Sequence, residues 1–229
     1  MHLRPPPRPE PLPGPPGDPP REPAPSPKSE VRVWLVRHGE VGRSFAEQAY
    51  GSRDVPLSPL GEEQTQGAAE ALATAEVQRV VASPLQRARR LGEAIAARSG
   101  AEFRTDPRLG ELNRGEWQEL ERAEYSARWE EQAEAYWSDT AHWCGHGGES
   151  ETDLCTRTWA AFEEATAGVS RLVVAAHRNV VRSILAHALG LPFGQSHALS
   201  LDPVHGALLK GSESGWTLIR FGAGPKAAL

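Results

Sequence analysis

At 229 residues and a formal charge of −5, the chain is long enough for one α/β domain with a sizeable core and lacks the basic excess of a nucleic-acid binder. It has no run of about 18 apolar residues that would span a membrane, and no apolar stretch of the kind that opens a secretory signal. Two cysteines are too few for a disulfide framework, so a reducing cytoplasm is the expected setting.

Residues 1–29 carry 13 of the 20 prolines and almost nothing that could enter a core. This segment reads as a disordered tail of polyproline II character, a solvated extension rather than a ligand for a proline-binding groove. The folded domain is expected over residues 30–229. It begins with Val31–Val36, an apolar, β-branched run that predicts a buried strand, delivering Arg37 and His38 at its carboxyl end. Gly39 then allows a sharp turn, and Gly42 to Pro56 reads as a loop. Ser58-Pro59 with acids following predicts a capped helix to about Ala73.

Arg79–Ser83 predicts a second short strand, and Pro84 opens a helix that carries Arg87 and ends near Gly100. Phe103–Thr105 reads as an edge strand. Between Glu111 and Asp153 stand 12 acids against three arginines, a net of −9. Within it, Trp129, Ala133, Tyr136 and Trp137 share one helix face. Residues 117–146 therefore read as a helical excursion: either a lid over the sheet edge or surface helices whose tryptophans face the core. A lid of this charge would repel polyanions and favour small monophosphates with a neutral or cationic leaving group. Glu149 to about Ala167 predicts a helix, Arg171–Ala176 a buried strand ending at His177, and Val180–Leu189 the next helix. Pro203–Lys210 and Trp216–Phe221 read as a closing hairpin. Alternating strands and helices imply a three-layer α/β sandwich, a mostly parallel sheet with helices on both faces.

In such a sheet the strand ends at His38, Ser83 and His177 share one edge, where ligands bind. Two histidines and the arginines Arg37 and Arg87 converge there, and a phosphate dianion is the matching guest. Helix N-termini after Ser83 and His177 add oriented donors. His142-x-Cys144-x-His146, with Cys155 beyond, has ligand types that suit zinc at spacings that do not. It reads as a loop with incidental thiol and imidazoles.

Arg37-His38-Gly39-Glu40 resembles the first signature of the histidine phosphatase (phosphoglycerate mutase-like) superfamily. Ser83-Pro84-Leu85-Gln86-Arg87-Ala88, Leu109–Trp117, Gly147–Ser150 with Arg157, and Ala176–Arg182 resemble its later motifs in the same order. The resemblance implies His38 as a nucleophile forming phosphohistidine, His177 as second catalytic histidine and Glu111 as proton donor, with Glu116 and Glu119 the alternatives for that last role. It further implies Arg37 and Arg87 as phosphate ligands, and neither metal nor cofactor. Where many members carry Thr and Asn after the first signature, this chain has Val41 and Ser44, so Ser44 is a weaker candidate phosphate ligand. Arg178 replaces a glycine after the second histidine and is a candidate for the phosphate or a second anionic group. The longer motifs of the cofactor-dependent mutases are missing, so the expectation is a phosphatase resembling the α-ribazole and broad-specificity phosphatases, acting on a small phosphomonoester. Its alternatives are a phosphoglycerate mutase and a non-catalytic phosphate binder. Nothing in the sequence sets the oligomeric state.

Overall fold

A computed structural model describes residues 25–27, 29–46 and 48–224. Most of the proline-rich segment expected to be disordered lies outside the described residues. In its described part, the Trp216 indole N–H donates to the Pro25 carbonyl at 3.2 Å.

Six strands form one sheet: β1 (Val31–Arg37), β2 (Arg79–Ala82), β3 (Glu102–Thr105), β4 (Arg171–Ala176), β5 (Gly206–Ser212) and β6 (Gly215–Ala223). The strand order is β3-β2-β4-β1-β5-β6. β1 to β4 are mutually parallel, and the β5–β6 hairpin adds antiparallel at the β1 side. The expected edge strand near Phe103 is indeed the edge, and the closing hairpin forms with its first strand starting three residues later than Pro203.

Alternation along β1 explains the three layers. Val33 and Leu35 join one core with Leu154 and Phe162 of α5 (Glu151–Thr166) and Ile184 and Leu185 of α6 (Arg178–Ala188). Trp34 and Val36 join the opposite core with Leu72 of α2 (Pro59–Leu72) and Leu91 and Ile95 of α3 (Gln86–Ser99). Both faces are covered, which is why the central strands are apolar at nearly every position rather than at alternate ones. α2 leaves β1 to one face and α6 leaves β4 to the other. The crevice where the chain splits therefore opens at the carboxyl ends of these two adjacent strands.

Helix starts follow local chemistry. Ser58 caps α2 by accepting from Gly61 N at 3.0 Å, and Ser150 with Asp153 makes a reciprocal capping box for α5. The helix expected from Glu149 thus begins two residues later, past its cap. α3 starts at Gln86, after an extended Leu85, and α6 starts at Arg178 directly after His177. The Gly42–Pro56 loop contains one short helix, α1 (Arg43–Ala46). The excursion holds one long helix, α4 (Arg122–Ser138), and α7 (Phe193–Ser196) follows α6.

Candidate active site

The sheet register sets the site. Arg37 pairs with Ala176 and Ala82 with Ala175, so His38, His177 and Ser83 emerge in one row. His38 N donates to Ala176 O at 3.0 Å and Ser83 N to Ala175 O at 3.0 Å. The two histidine rings meet edge-on with centroids 5.2 Å apart.

His38 is buried, and its Nδ1 lies 2.6 Å from the Gly39 carbonyl. A carbonyl only accepts, so Nδ1 carries the proton and Nε2 keeps the lone pair. Burial, reinforced by the charges of Arg87 and Arg37, holds the ring well below its ordinary pKa and hence neutral. This is the protonation state a nitrogen nucleophile needs. The strand end is braced from behind by a tight turn, in which Val204 N donates to the His38 carbonyl at 3.2 Å. Val204 does so at φ +55°, a left-handed conformation costly for a β-branched residue.

His177 is fully buried and also held neutral, by burial first and by Arg87 and His38 next. Its Nε2 lies 2.8 Å from Ser83 Oγ, while its Nδ1 has no partner among the described residues. Ser83 Oγ also accepts from Leu85 N at 3.3 Å and has its own proton to give His177 Nε2. In that arrangement Nδ1–H is a free donor.

Arg37 and Arg87 are cations without carboxylate partners among the described residues. Arg37 Nη1 donates to Leu201 O at 2.6 Å, and its buried Nε is unpaired. Arg87, with no exposed surface, donates to Arg53 O and Gly51 O at 2.6 and 2.8 Å and keeps Nε unpaired. Its guanidinium lies 5.0 Å from the centre of the Tyr50 ring. Burial drags both guanidinium pKa values down, which is the cost of holding cations that await an anion.

Glu111 faces this group. Its Oε1 accepts from Leu112 N at 2.8 Å and its Oε2 from Asn179 N, in the first turn of α6, at 3.4 Å. Arg157 holds the loop that carries it, pairing with Glu149 and donating to Gly110 O at 2.8 Å. Glu116 and Glu119, the other acids considered for proton transfer, are exposed and line no part of the cavity.

Arg37, His38, Glu111 and Arg178 line one cavity of about 610 Å³. Its outer wall comes from the excursion: Tyr125, Trp129, Tyr136, Trp143 and His146. The tryptophans here face the cavity rather than the sheet core, whereas most acids of α4 are exposed to solvent. Arg87 and His177 lie buried next to the cavity's inner end. Ser44 is exposed on α1 and outside the cavity lining, so the structure does not bring it to the other candidates. His142 and Cys144 are exposed, Cys155 is buried in the core, and His146 is in the cavity wall.

Several functional neighbours carry little signal in sequence. Ser83 orients His177 across 94 residues, and the Gly51 and Arg53 carbonyls anchor Arg87. Glu40, within the first motif, is a brace: its Oε1 accepts from Ser58 Oγ at 2.8 Å and its N donates to Gln64 Oε1 at 2.8 Å. Arg182 spends its guanidinium on the carbonyls of Leu199 and His197.

A fold of this order, with a neutral histidine at the end of β1 beneath uncompensated arginines, defines a class of phosphoryl-transfer enzyme. The chain belongs to the histidine phosphatase superfamily (branch 1), whose sequence profile matches residues 33–224. It is 35% identical over 170 residues to a glucosyl-3-phosphoglycerate phosphatase of Mycolicibacterium vanbaalenii, covering 70% of this chain and 75% of that one. It is 32% identical over 164 residues to a probable phosphoglycerate mutase of Proteus mirabilis, covering 71% and 76%. A solved mycobacterial glucosyl-3-phosphoglycerate phosphatase with inorganic phosphate superposes at a TM-score of 0.74, 30% identical over 86% of this chain and 99% of that one. The chain is accordingly a phosphatase of this superfamily, a phosphoric monoester hydrolase.

Proposed function

We propose that the chain hydrolyses a small phosphomonoester through a phosphohistidine on His38. The carrying observation is the Nδ1–H bond from His38 to Gly39 O, which leaves a neutral Nε2 lone pair beside two buried arginines whose Nε groups have no partner among the described residues. Nε2 attacks phosphorus in line, the N–P bond forms, and the ester P–O bond breaks. Glu111, in its acid form, gives its proton to the departing oxygen. As a carboxylate it then takes a proton from water, whose oxygen attacks phosphorus and releases phosphate and neutral His38. Arg37, Arg87 and His177 Nδ1–H neutralise the non-bridging oxygens as charge spreads over them. The arginines supply the positive charge, so no metal or cofactor enters these steps.

The cavity is within the range of about 300–1,000 Å³ typical of small-molecule sites, and larger than a phosphoryl group alone requires. Residues 117–146 serve as the wall that shields it. A glycosylated 3-phosphoglycerate, the substrate named for the mycobacterial relatives, fits this reading and is the first natural candidate to assay. Cys144 is an exposed free thiol, which suits a reducing cytoplasm; among the described residues no helix is long and apolar enough to cross a membrane.

The test is hydrolysis of p-nitrophenyl phosphate in EDTA by wild type, His38→Ala and Glu111→Gln, with acid-labile, base-stable phosphoprotein trapped in single turnovers. His38→Ala retaining activity would overturn the proposal. Phosphate passed to phosphoglycerate rather than water would support the mutase alternative, which the probable mutase among the relatives keeps in view.

A further inference from the structure

We infer that the β5–β6 hairpin and α5 carry a docking face for a proline-rich segment, occupied by residues 25–27 of this chain's own tail. Composition favours a solvated extension for residues 1–29, yet the last of them follow the hairpin contact by contact. Glu30 pairs with Lys210 of β5 at 2.9 Å. Pro27 packs beside Gly211, and the Pro25 carbonyl accepts from the Trp216 indole N–H at 3.2 Å. Gly211 and Trp216 are cross-strand partners, and Gly211 also pairs with Val31, the first residue of β1. The tail therefore reaches β1 across the strands that flank it.

Gly211 makes the seat. Glycine within a strand costs stability, and it is used where the backbone needs a positive φ or where another group comes close. Gly211 is not among the glycines with positive φ. A Cβ there would stand 2.7 Å from Pro27 Cγ and 2.8 Å from the Trp216 ring, so the missing side chain gives both rings their space. Trp216 in turn packs on Phe162 and Trp159 of α5, with ring centres 4.9 and 6.1 Å apart. Pro27 and Trp216 are both half-buried in this arrangement.

The chemistry suits proline in particular. Each proline fixes its own φ, and Pro27 also drives Ser26 into an extended conformation. Pro25-Ser26-Pro27 therefore meets the hairpin as a stiff segment and loses little entropy on docking. A tryptophan offers one flat apolar face and one N–H donor, which match the rings and the carbonyls of such a segment. Tethering adds the rest. Only three residues separate Pro27 from β1, so the concentration of this segment at Trp216 is on the order of millimolar or higher. The face lies at the amino end of β1 and His38 beyond its carboxyl end, about 20 Å away along seven residues of strand. Docking thus fixes where the tail joins the fold without touching the catalytic edge.

The test is NMR of the isotope-labelled full chain, reading the Trp216 indole N–H. Its signal is the one of seven tryptophan indoles that is missing in Trp216→Phe. When Pro25→Gly and Pro27→Gly are combined, that signal should move upfield and its exchange with water should quicken about fivefold to tenfold, the worth of one hydrogen bond. The remaining indole signals and p-nitrophenyl phosphate hydrolysis should stay as in wild type. An unchanged Trp216 signal would overturn the docking, and lost hydrolysis would overturn its separation from the catalytic edge. A wild-type signal that changes on dilution would overturn the assignment to the chain's own tail, since only a contact between copies weakens on dilution. A peptide of residues 19–29, added to wild type at about 100 µM, should leave the signal unmoved because the tethered segment outcompetes it. A shift there would show the face open and overturn its occupancy.

Discussion

Acidification should unlatch the turn that supports Glu111, and His146 is the group that titrates. Its ring is 3% exposed and packed edge-on against Trp117 and Trp143. Nδ1 accepts from Gly148 N at 3.0 Å, a bond that a protonated ring cannot make. Burial first, and then the charge of Arg114, lowers its pKa from 6.5 to about 4. The turn matters because Glu116 N donates to His146 O at 3.0 Å and Glu149 N to Asn113 O at 2.9 Å, tying residues 144–149 to the loop after Glu111. Below pH 6.5 the unfolded chain protonates this histidine and the folded one does not. The stabilisation is therefore complete above pH 6.5, declines as pH falls, and is gone below about 4. The difference between the two pKa values amounts to about 3 kcal/mol in full, and about 2 kcal/mol of it is lost by pH 5. Urea unfolding of wild type and His146→Gln between pH 8 and 5 reads it, because the other buried histidines cancel in the comparison. The glutamine amide oxygen can still accept from Gly148, so wild type should lose about 2 kcal/mol more than the variant across that range. Parallel curves, or an NMR titration of His146 near 6.5, would refute the reasoning.

Three further outcomes follow from geometry. Ser83→Ala strips fully buried His177 of its 2.8 Å partner, so unfolding free energy should fall by about 1–3 kcal/mol and kcat by about tenfold; an unchanged kcat would mean Ser83 does not orient the ring. Gly61→Ala would put a Cβ 2.0 Å from Glu40 O, backbone against backbone next to His38, and should cost about 1–3 kcal/mol in a denaturant titration, with reduced activity. Arg157→Lys keeps the charge but loses the fork to Glu149 and the carbonyl at Gly110. If it positions the proton donor, kcat should fall about tenfold on an alkyl phosphate and clearly less on p-nitrophenyl phosphate, whose leaving group needs little protonation. Equal losses on both substrates would make its role purely structural.

Much of this protein is legible along the chain because its signals are local. The apolar runs at Val31–Val36 and Arg171–Ala176 specify buried strands by composition alone, and Ser58-Pro59 specifies a helix start. Each strand's sequence continues directly into its functional residue, so parallel order alone brings His38, Ser83 and His177 to one edge. What the chain could not state depends on pairing across distance. The orientation of His177 by Ser83, the carbonyls of Gly51 and Arg53 on Arg87, and the left-handed Val204 behind His38 all involve backbone groups or hydroxyls. Any residue type offers such groups, so they leave no trace in a motif. The excursion shows the same division most clearly. Periodicity placed Trp129, Tyr136 and Trp137 on one helix face, but a helix can turn that face to a core or to a cavity with equal local propensity. Only the tertiary structure decided that Trp129 and Tyr136 line the site while Trp137 does not, and that the acids of α4 face water.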